Sequence, residues 1–180
     1  QKEMKNCTHI LIQLEISIEA IKEIICICNE LNIKLIIDAG PIRNISINDL
    51  TGAYIVSPNK SELEALVKRK LCSLEEIKIA GRELLNNGIE NVLVKMGENG
   101  SLFLNNETEI YQKIYKVDAL DTTGAGDSYM AGFVKSLSEG NNLSEAMNYG
   151  SICGAIAVTK IGAVPSLPSL EDVNKFIENK

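Results

Sequence analysis

Two carboxylates, Asp121 and Asp127, stand six residues apart in the stretch DALDTTGAGDSYMAGF (118–133), with two threonines and two glycines between them. An apolar run of helical spacing follows at once. Gly124, Ala125 and Gly126 carry little or no side chain, so a ligand can come close to the backbone there. A helix beginning at this point turns its unpaired N–H groups and its positive dipole end back onto the turn. Together these suit an anion, and a phosphoryl group in particular. A carboxylate in the first helical turn is favoured in its ionised form. Asp127 can therefore act as a general base towards a hydroxyl while the turn stabilises charge on a transferring phosphoryl group. Taken alone, the turn is equally compatible with a second reading, in which Asp127 caps the helix and the glycines only bend the chain.

Three further stretches carry chemistry of the same kind. NKSE (59–62) places Asn59 and Glu62 three apart at a helix start, where an amide and a carboxylate can orient phosphate oxygens, waters and Mg²⁺ or simply cap the helix. KMGENG (95–100) puts Gly97 and Gly100 at a strand end, either against a nucleotide or in a hairpin turn. TKIGAVPSLPS (159–169) is a Gly/Pro-rich loop that can aim carbonyls at a cation or wrap an adenine, or can be a plain connection. Other motifs fail. The chain has no G-x-x-x-x-G-K-[ST] phosphate loop, no H-R-D or D-F-G, no G-x-S-x-G elbow, and no third glycine completing a dinucleotide fingerprint after Gly126.

The elements that must hold these turns follow from periodicity. THILIQL (8–14) has the length and apolarity of a buried strand. Ser17 then offers an N-cap to a helix whose face is Ile18, Ile21, Ile24, Ile25, Cys28 and Leu31. IKLIIDAGP (33–41) and AYIVSPN (53–59) predict two more strands, the first buried on both faces. KSELEALVKRK (60–70) has helical period. SLEEIKIAGRELLNNG (73–88) opens with the capping box Ser73–Glu76 and closes at Gly88. NVLVKMG (91–97) is another buried strand. GSLFLNN and TEIYQKIYKV (100–117) alternate like a hairpin around a polar turn. Helices are expected at about 125–139, 143–160 and 169–179. Strands alternating with helices imply one α/β domain over residues 1–180, with a largely parallel sheet covered on both sides. Ligands in such sheets bind at the carboxyl ends of the strands, and DAGP, SPNKSE, KMGENG and DTTGAGD all follow predicted strands.

The 180 residues suffice for one core, with 45% hydrophobic and 23% charged residues. A net charge of −6 argues against a nucleic-acid binder or a ligand of anionic membranes. The five cysteines contain no C-x-x-C, and His9 is the sole histidine, so metal-ligand spacing is absent. Cys26 and Cys28 cannot share a helix face, and the cysteines read as reduced, buried thiols. No apolar run reaches the ~18 residues that would span a membrane. The sequence starts without Met and enters a strand pattern almost at once, which predicts a fragment lacking an N-terminal part.

DTTGAGDSYMAGF resembles the C-terminal signature of the PfkB, or ribokinase-like, carbohydrate kinases. ILIQLEIS, LIIDAGP, VSPNKSELEAL, VLVKMGENGSLF and GAIAVTKIGAVPSLPS resemble further blocks of that family in the same order, so the similarity covers nearly the whole chain. Within the family, QLE and the later G-A-x-P-S loop are most similar to the ribokinases.

The resemblance implies a three-layer α-β-α fold and transfer of the γ-phosphate of ATP to a primary sugar hydroxyl. Ribose is the first expectation; fructose, 2-keto-3-deoxygluconate, a nucleoside or a phosphosugar are the alternatives, and a non-catalytic nucleotide-binding module is the remote one. It makes Asp127 the catalytic base and the amides of Gly124, Ala125 and Gly126 an anion hole. Asn59 and Glu62 become an N-x-x-E pair near the phosphates and Mg²⁺. Lys95, Met96, Gly97, Glu98, Asn99 and Gly100 would line the nucleotide site. Ser151 falls where ribokinases often carry Asn or His beside the nucleotide. Glu15 matches a sugar-contacting glutamate. Asp121, Thr123, Ala157, Lys160, Gly162 and Ser166 match a monovalent-cation site, taken as K⁺. The family's Gly-Gly sugar motif and β-sheet lid are not in this sequence. The isolated 180 residues are therefore expected to be inactive, with the complete cytoplasmic protein a homodimer through that lid.

Overall fold

The computed structural model describes residues 4–41 and 45–179. The chain divides into two compact units: residues through Gly97 with Leu102–Tyr111, and Glu98–Ser101 with Gln112 onward. No helix of the described residues is long and apolar enough to cross a membrane.

The first unit is built on the strands β1 (His9–Gln13), β2 (Lys34–Asp38), β3 (Ile55–Ser57), β4 (Asn91–Lys95), β5 (Ser101–Leu104) and β6 (Glu109–Gln112), which form one six-stranded sheet in that order. β1 to β4 pair in parallel, with Gln13 opposite Asp38 and Asp38 opposite Ser57. The links from β4 to β5 and from β5 to β6 are too short for a crossover, so those strands return antiparallel and the sheet is mixed. Helices α1 (Ile18–Glu30), α2 (Lys60–Val67) and α3 (Leu74–Asn86) connect the parallel strands.

Each helix begins where its sequence supplies a cap. The Ser17, Asn59 and Ser73 side chains accept the N–H of the residue three further on, and the last two are reciprocal capping boxes with Glu62 and Glu76. α1 buries Ile21, Ile25 and Cys28, one face at helical spacing, and α3 buries Ile77, Ala80, Leu84 and Leu85. At Gly81 the helix comes so close to β5 that a Cβ would meet Leu104 Cδ1 at 2.5 Å. Ile37, Val56, Val92 and Val94 are fully buried beneath these helices. Each contributes on the order of 1.5–3 kcal/mol by leaving water.

The second unit holds α4 (Ala125–Ser138), α5 (Leu143–Ala157), the four-residue α6 (Ala163–Ser166) and α7 (Leu170–Glu178). α4 and α5 pack through small residues. A Cβ at Gly132 would sit 2.5 Å from Cys153 Sγ, and one at Gly150 would sit 2.8 Å from the Tyr129 carbonyl oxygen. Val173 of α7 closes a cluster with Ile152, Cys153 and Ile156.

Four expectations need correction. β1 is half-exposed rather than buried, because it is the edge strand of the sheet, and Leu11 faces outward. Residues 113–117 do not extend the hairpin. The expected loop 159–169 contains α6, begun by Gly162 at φ +87°. Only Cys28 and Cys153 are buried; Cys7, Cys26 and Cys72 are exposed, Cys26 on the opposite side of α1 from Cys28.

Candidate active site

In the second unit the structure turns DTTGAGD into an organised helix start. Asp121 is the organiser. Its Oδ1 accepts the Thr123 N–H (2.9 Å) and hydroxyl (2.7 Å), and its Oδ2 accepts the Gly162 N–H at 2.9 Å. Those donors hold its carboxyl below the usual carboxylate range, the Gly162 N–H contributing most. One carboxylate thus ties the 121–124 turn to the start of α6. Ser166 Oγ donates to the Ala163 carbonyl (2.7 Å), and a Cβ at Gly124 would lie 3.5 Å from that hydroxyl. Gly124 itself has φ +76°, a conformation that costs most other residues about 1–2 kcal/mol.

α4 begins at Gly124 with no side-chain cap, whereas α1, α2, α3, α5 and α7 each have one. Gly126 is exposed, and a Cβ on it would meet nothing within 4 Å. Asp127 is exposed in the first turn. An uncapped helix end with open space before it and a carboxylate at its lip is an arrangement that accepts an anion and abstracts a proton beside it.

The expected cation set is drawn together in part. Asp121, Thr123, Gly162 and Ser166 surround the junction of the turn and α6. The Ala157 carbonyl accepts the Lys160 N–H, and the Lys160 ammonium is directed to Asp172 at 3.4 Å. One carboxylate among neutral oxygens suits a singly charged cation. Ser151 is buried, and its hydroxyl donates to the Lys113 carbonyl at 3.3 Å.

In the first unit the strand ends gather the other group. Asn59 Oδ1 accepts the Glu62 N–H (3.0 Å) and the Ser61 hydroxyl (2.7 Å), while Glu62 Oε2 accepts the Asn59 N–H at 2.6 Å. Helix capping is therefore realised here. Burial raises the Glu62 carboxyl, and the Asn59 N–H first and then Lys95 partly offset it. A cavity of about 470 Å³ lies beside this box, lined by Asn59, Lys60, Ser61, Glu64, Lys70, Lys95, Met96 and Gly97. Four expected nucleotide residues thus line one cavity: Asn59, Lys95, Met96 and Gly97. Glu62 does not line it, nor do Glu98, Asn99 and Gly100, which belong to the second unit. Gly100 is a structural glycine, since at φ +81° a Cβ would meet the Gln112 carbonyl oxygen at 2.1 Å. Glu15 is exposed just past the end of β1.

Sequence reasoning missed Asp38 and Gly40. Asp38 ends β2 and is ion-paired with Lys95. A Cβ on Gly40 would lie 2.7 Å from Glu62 Oε1. The one available signal was that both sit in DAGP, directly after a predicted strand.

Known proteins bear on this geometry. The sequence matches the family described as pfkB family carbohydrate kinase over residues 5–170. It is 28% identical to a deoxyribokinase of Salmonella typhi over 98% of this chain and 58% of that protein. It is 31% identical to a ribokinase of Staphylococcus aureus over 94% of this chain and 56% of that one. It therefore spans under two thirds of the length of these relatives. Among solved structures, a ribokinase of Arabidopsis thaliana complexed with ribose and ATP superposes with a TM-score of 0.92 at 29% identity, over 98% of this chain and 58% of that one. Phosphofructokinase-2 of Escherichia coli in complex with potassium gives 0.79 at 25%, over 99% and 61%.

Proposed function

This chain belongs to the pfkB family of carbohydrate kinases and has the α/β ribokinase-like fold; from that premise we propose that it carries the nucleotide-binding and catalytic part of an ATP-dependent sugar kinase, with ribose as the first substrate to test. The observation that supports the reading most is the start of α4, where an uncapped helix end with Gly124 in the left-handed region has Asp127 one turn in. Asp127 removes the proton of the primary hydroxyl. The freed oxygen attacks the γ-phosphorus in line, and ADP departs. The amides of Gly124, Ala125 and Gly126 stabilise the charge on the equatorial oxygens.

Asn59 and Glu62, with Lys95, Met96 and Gly97, face the nucleotide in this reading. Glu98, Asn99, Gly100 and Ser151 are the further nucleotide residues of this reading. Mg²⁺, when bound with ATP, supplies charge neutralisation at the phosphates, and Glu62 is the carboxylate available to its waters. Asp121, Thr123, Ala157, Lys160, Gly162 and Ser166 form the K⁺ site in the same proposal. The potassium found in phosphofructokinase-2 supports that assignment. Glu15 contacts the sugar. A cytoplasmic location and dimerisation of the complete protein complete the reading.

Asp127→Asn keeps the size of the side chain and removes the base. In the complete protein a loss of about 10²–10⁴ in kcat is expected for phosphoryl transfer from ATP to ribose; a loss of only a few-fold refutes the role. Because the relatives include a deoxyribokinase, a ribokinase and a phosphofructokinase, the same assay is run across ribose, deoxyribose and fructose, with K⁺ and with Na⁺.

A further inference from the structure

Lys95 and Asp38 end β4 and β2, strands separated by β3 in the parallel part of the sheet. Two inter-strand spacings and an offset of two residues along the strands put their Cα atoms about 11–12 Å apart. The lysine must reach across the exit of β3, directly below Asn59, to meet the carboxylate. The backbone is locked there as well, since the Lys95 N–H donates to the Pro58 carbonyl at 2.9 Å. Both side chains are nearly buried, Lys95 13% and Asp38 8% exposed.

A buried ion pair contributes little to stability by comparison with well-packed apolar side chains, so stability does not account for one at this edge. Its position does suit a ligand of opposite charge. An ammonium has three donors and Asp38 takes one of them. Lys95 also lines the 470 Å³ cavity with Asn59, Met96 and Gly97. Glu62 stands in the same neighbourhood, its carboxyl influenced by both members of the pair. Without Lys95, the repulsion between the Asp38 and Glu62 carboxylates would go unopposed.

We propose that Lys95 is a phosphate-binding cation for the nucleoside triphosphate and that Asp38 is a positioning residue, which acts by holding the Lys95 ammonium against the strand ends. The inference rests on the nucleotide-binding reading above, and its test separates the two. Calorimetry with the purified protein measures affinity for a non-hydrolysable ATP analogue, AMP and adenosine. Lys95→Met weakens the triphosphate analogue by about 10-fold or more, the scale of a lost charge-assisted hydrogen bond, and leaves adenosine within about twofold. Asp38→Asn weakens the triphosphate less, about 3- to 10-fold, because the ammonium persists without its anchor. Lys95→Arg retains most of the affinity. Both single neutral variants lower Tm, since each leaves a buried charge unpaired. The double variant Asp38→Asn/Lys95→Met recovers Tm without recovering triphosphate affinity, which a merely structural pair would not show. Triphosphate binding unchanged in Lys95→Met, or adenosine lost in parallel with it, overturns the inference alone. Failure of the unaltered protein to bind any of the three overturns the nucleotide reading and this inference with it.

Discussion

Gly126→Ala separates stability from chemistry at the start of α4. Gly126 is the second residue of the helix, its φ is not positive, and an added Cβ would meet nothing within 4 Å. Alanine therefore fits the backbone and the space. In a helix it is favoured over glycine by up to about 0.5–1 kcal/mol, partly through a less flexible unfolded chain. For a chain of this size that raises Tm by roughly 1–4 °C. The open space in front of the turn is also where the proposed phosphoryl group must approach the amides. A methyl group there displaces it, and a misplacement of about 1 Å costs on the order of 10²-fold in rate. Loss of a whole anion-hole donor costs about 10²–10³. Thermal denaturation of this chain, followed beside ADP release from ATP and ribose by the complete protein, reads both quantities. A variant that is more stable and at least 50-fold slower is the expected result. Unchanged turnover with the same rise in Tm refutes the anion hole at Gly126.

Two other predictions concern the scaffold. Gly100→Ala combines φ +81° with a Cβ 2.1 Å from the Gln112 carbonyl, so it costs about 2–4 kcal/mol in urea denaturation; a change below about 0.5 kcal/mol refutes the close approach. Asp49 is held down to about 2 by the Lys22 ammonium first and then by the Ser46 hydroxyl and N–H. A depressed folded-state value means that its stabilisation is present above the ordinary value of 3.8 and disappears as pH falls towards 2. The stability difference between the unaltered protein and Asp49→Asn should therefore shrink from pH 5 to pH 2, and a difference that does not change with pH counts against the Lys22–Asp49 contact.

What could be read in the sequence was whatever closes over short distances. The capping box expected at Ser73 spans three residues and is formed, and the capping alternative at Asn59, of the same span, is realised as well. The runs LIID and NVLV predict strands because continuous apolarity suits a strand covered on both faces, and β2 and β4 are buried so. The exposure of β1 was not legible, because a strand's own residues do not say whether a neighbour flanks both of its edges. α6 was hidden because four residues with a central proline carry no periodicity. The Asp38–Lys95 pair was out of reach for a different reason. Its members are 57 residues apart, and they meet only because β2, β3 and β4 run parallel in one particular register.

NKSE shows why two readings of a motif need not compete. The capping bonds engage Asn59 Oδ1 twice and one oxygen of Glu62. The other oxygen, Oε1, is left pointing at Gly40, where any larger residue would displace it. The cap thus removes the rotational freedom that a glutamate has in solution and fixes its remaining lone pairs at the strand ends, beside Lys95. A carboxylate meant to orient the waters of a phosphate-bound cation needs such a restraint, because each free torsion would be ordered at a cost on binding. Helix capping at Asn59 is then the means by which Glu62 is preorganised. The Asn59→Pro variant, which removes the backbone N–H that holds Glu62 Oε2 together with the side-chain cap, should lose nucleotide affinity as well as the roughly 1 kcal/mol expected of a lost N-cap. A stability loss with triphosphate affinity intact would show that the cap serves the helix alone.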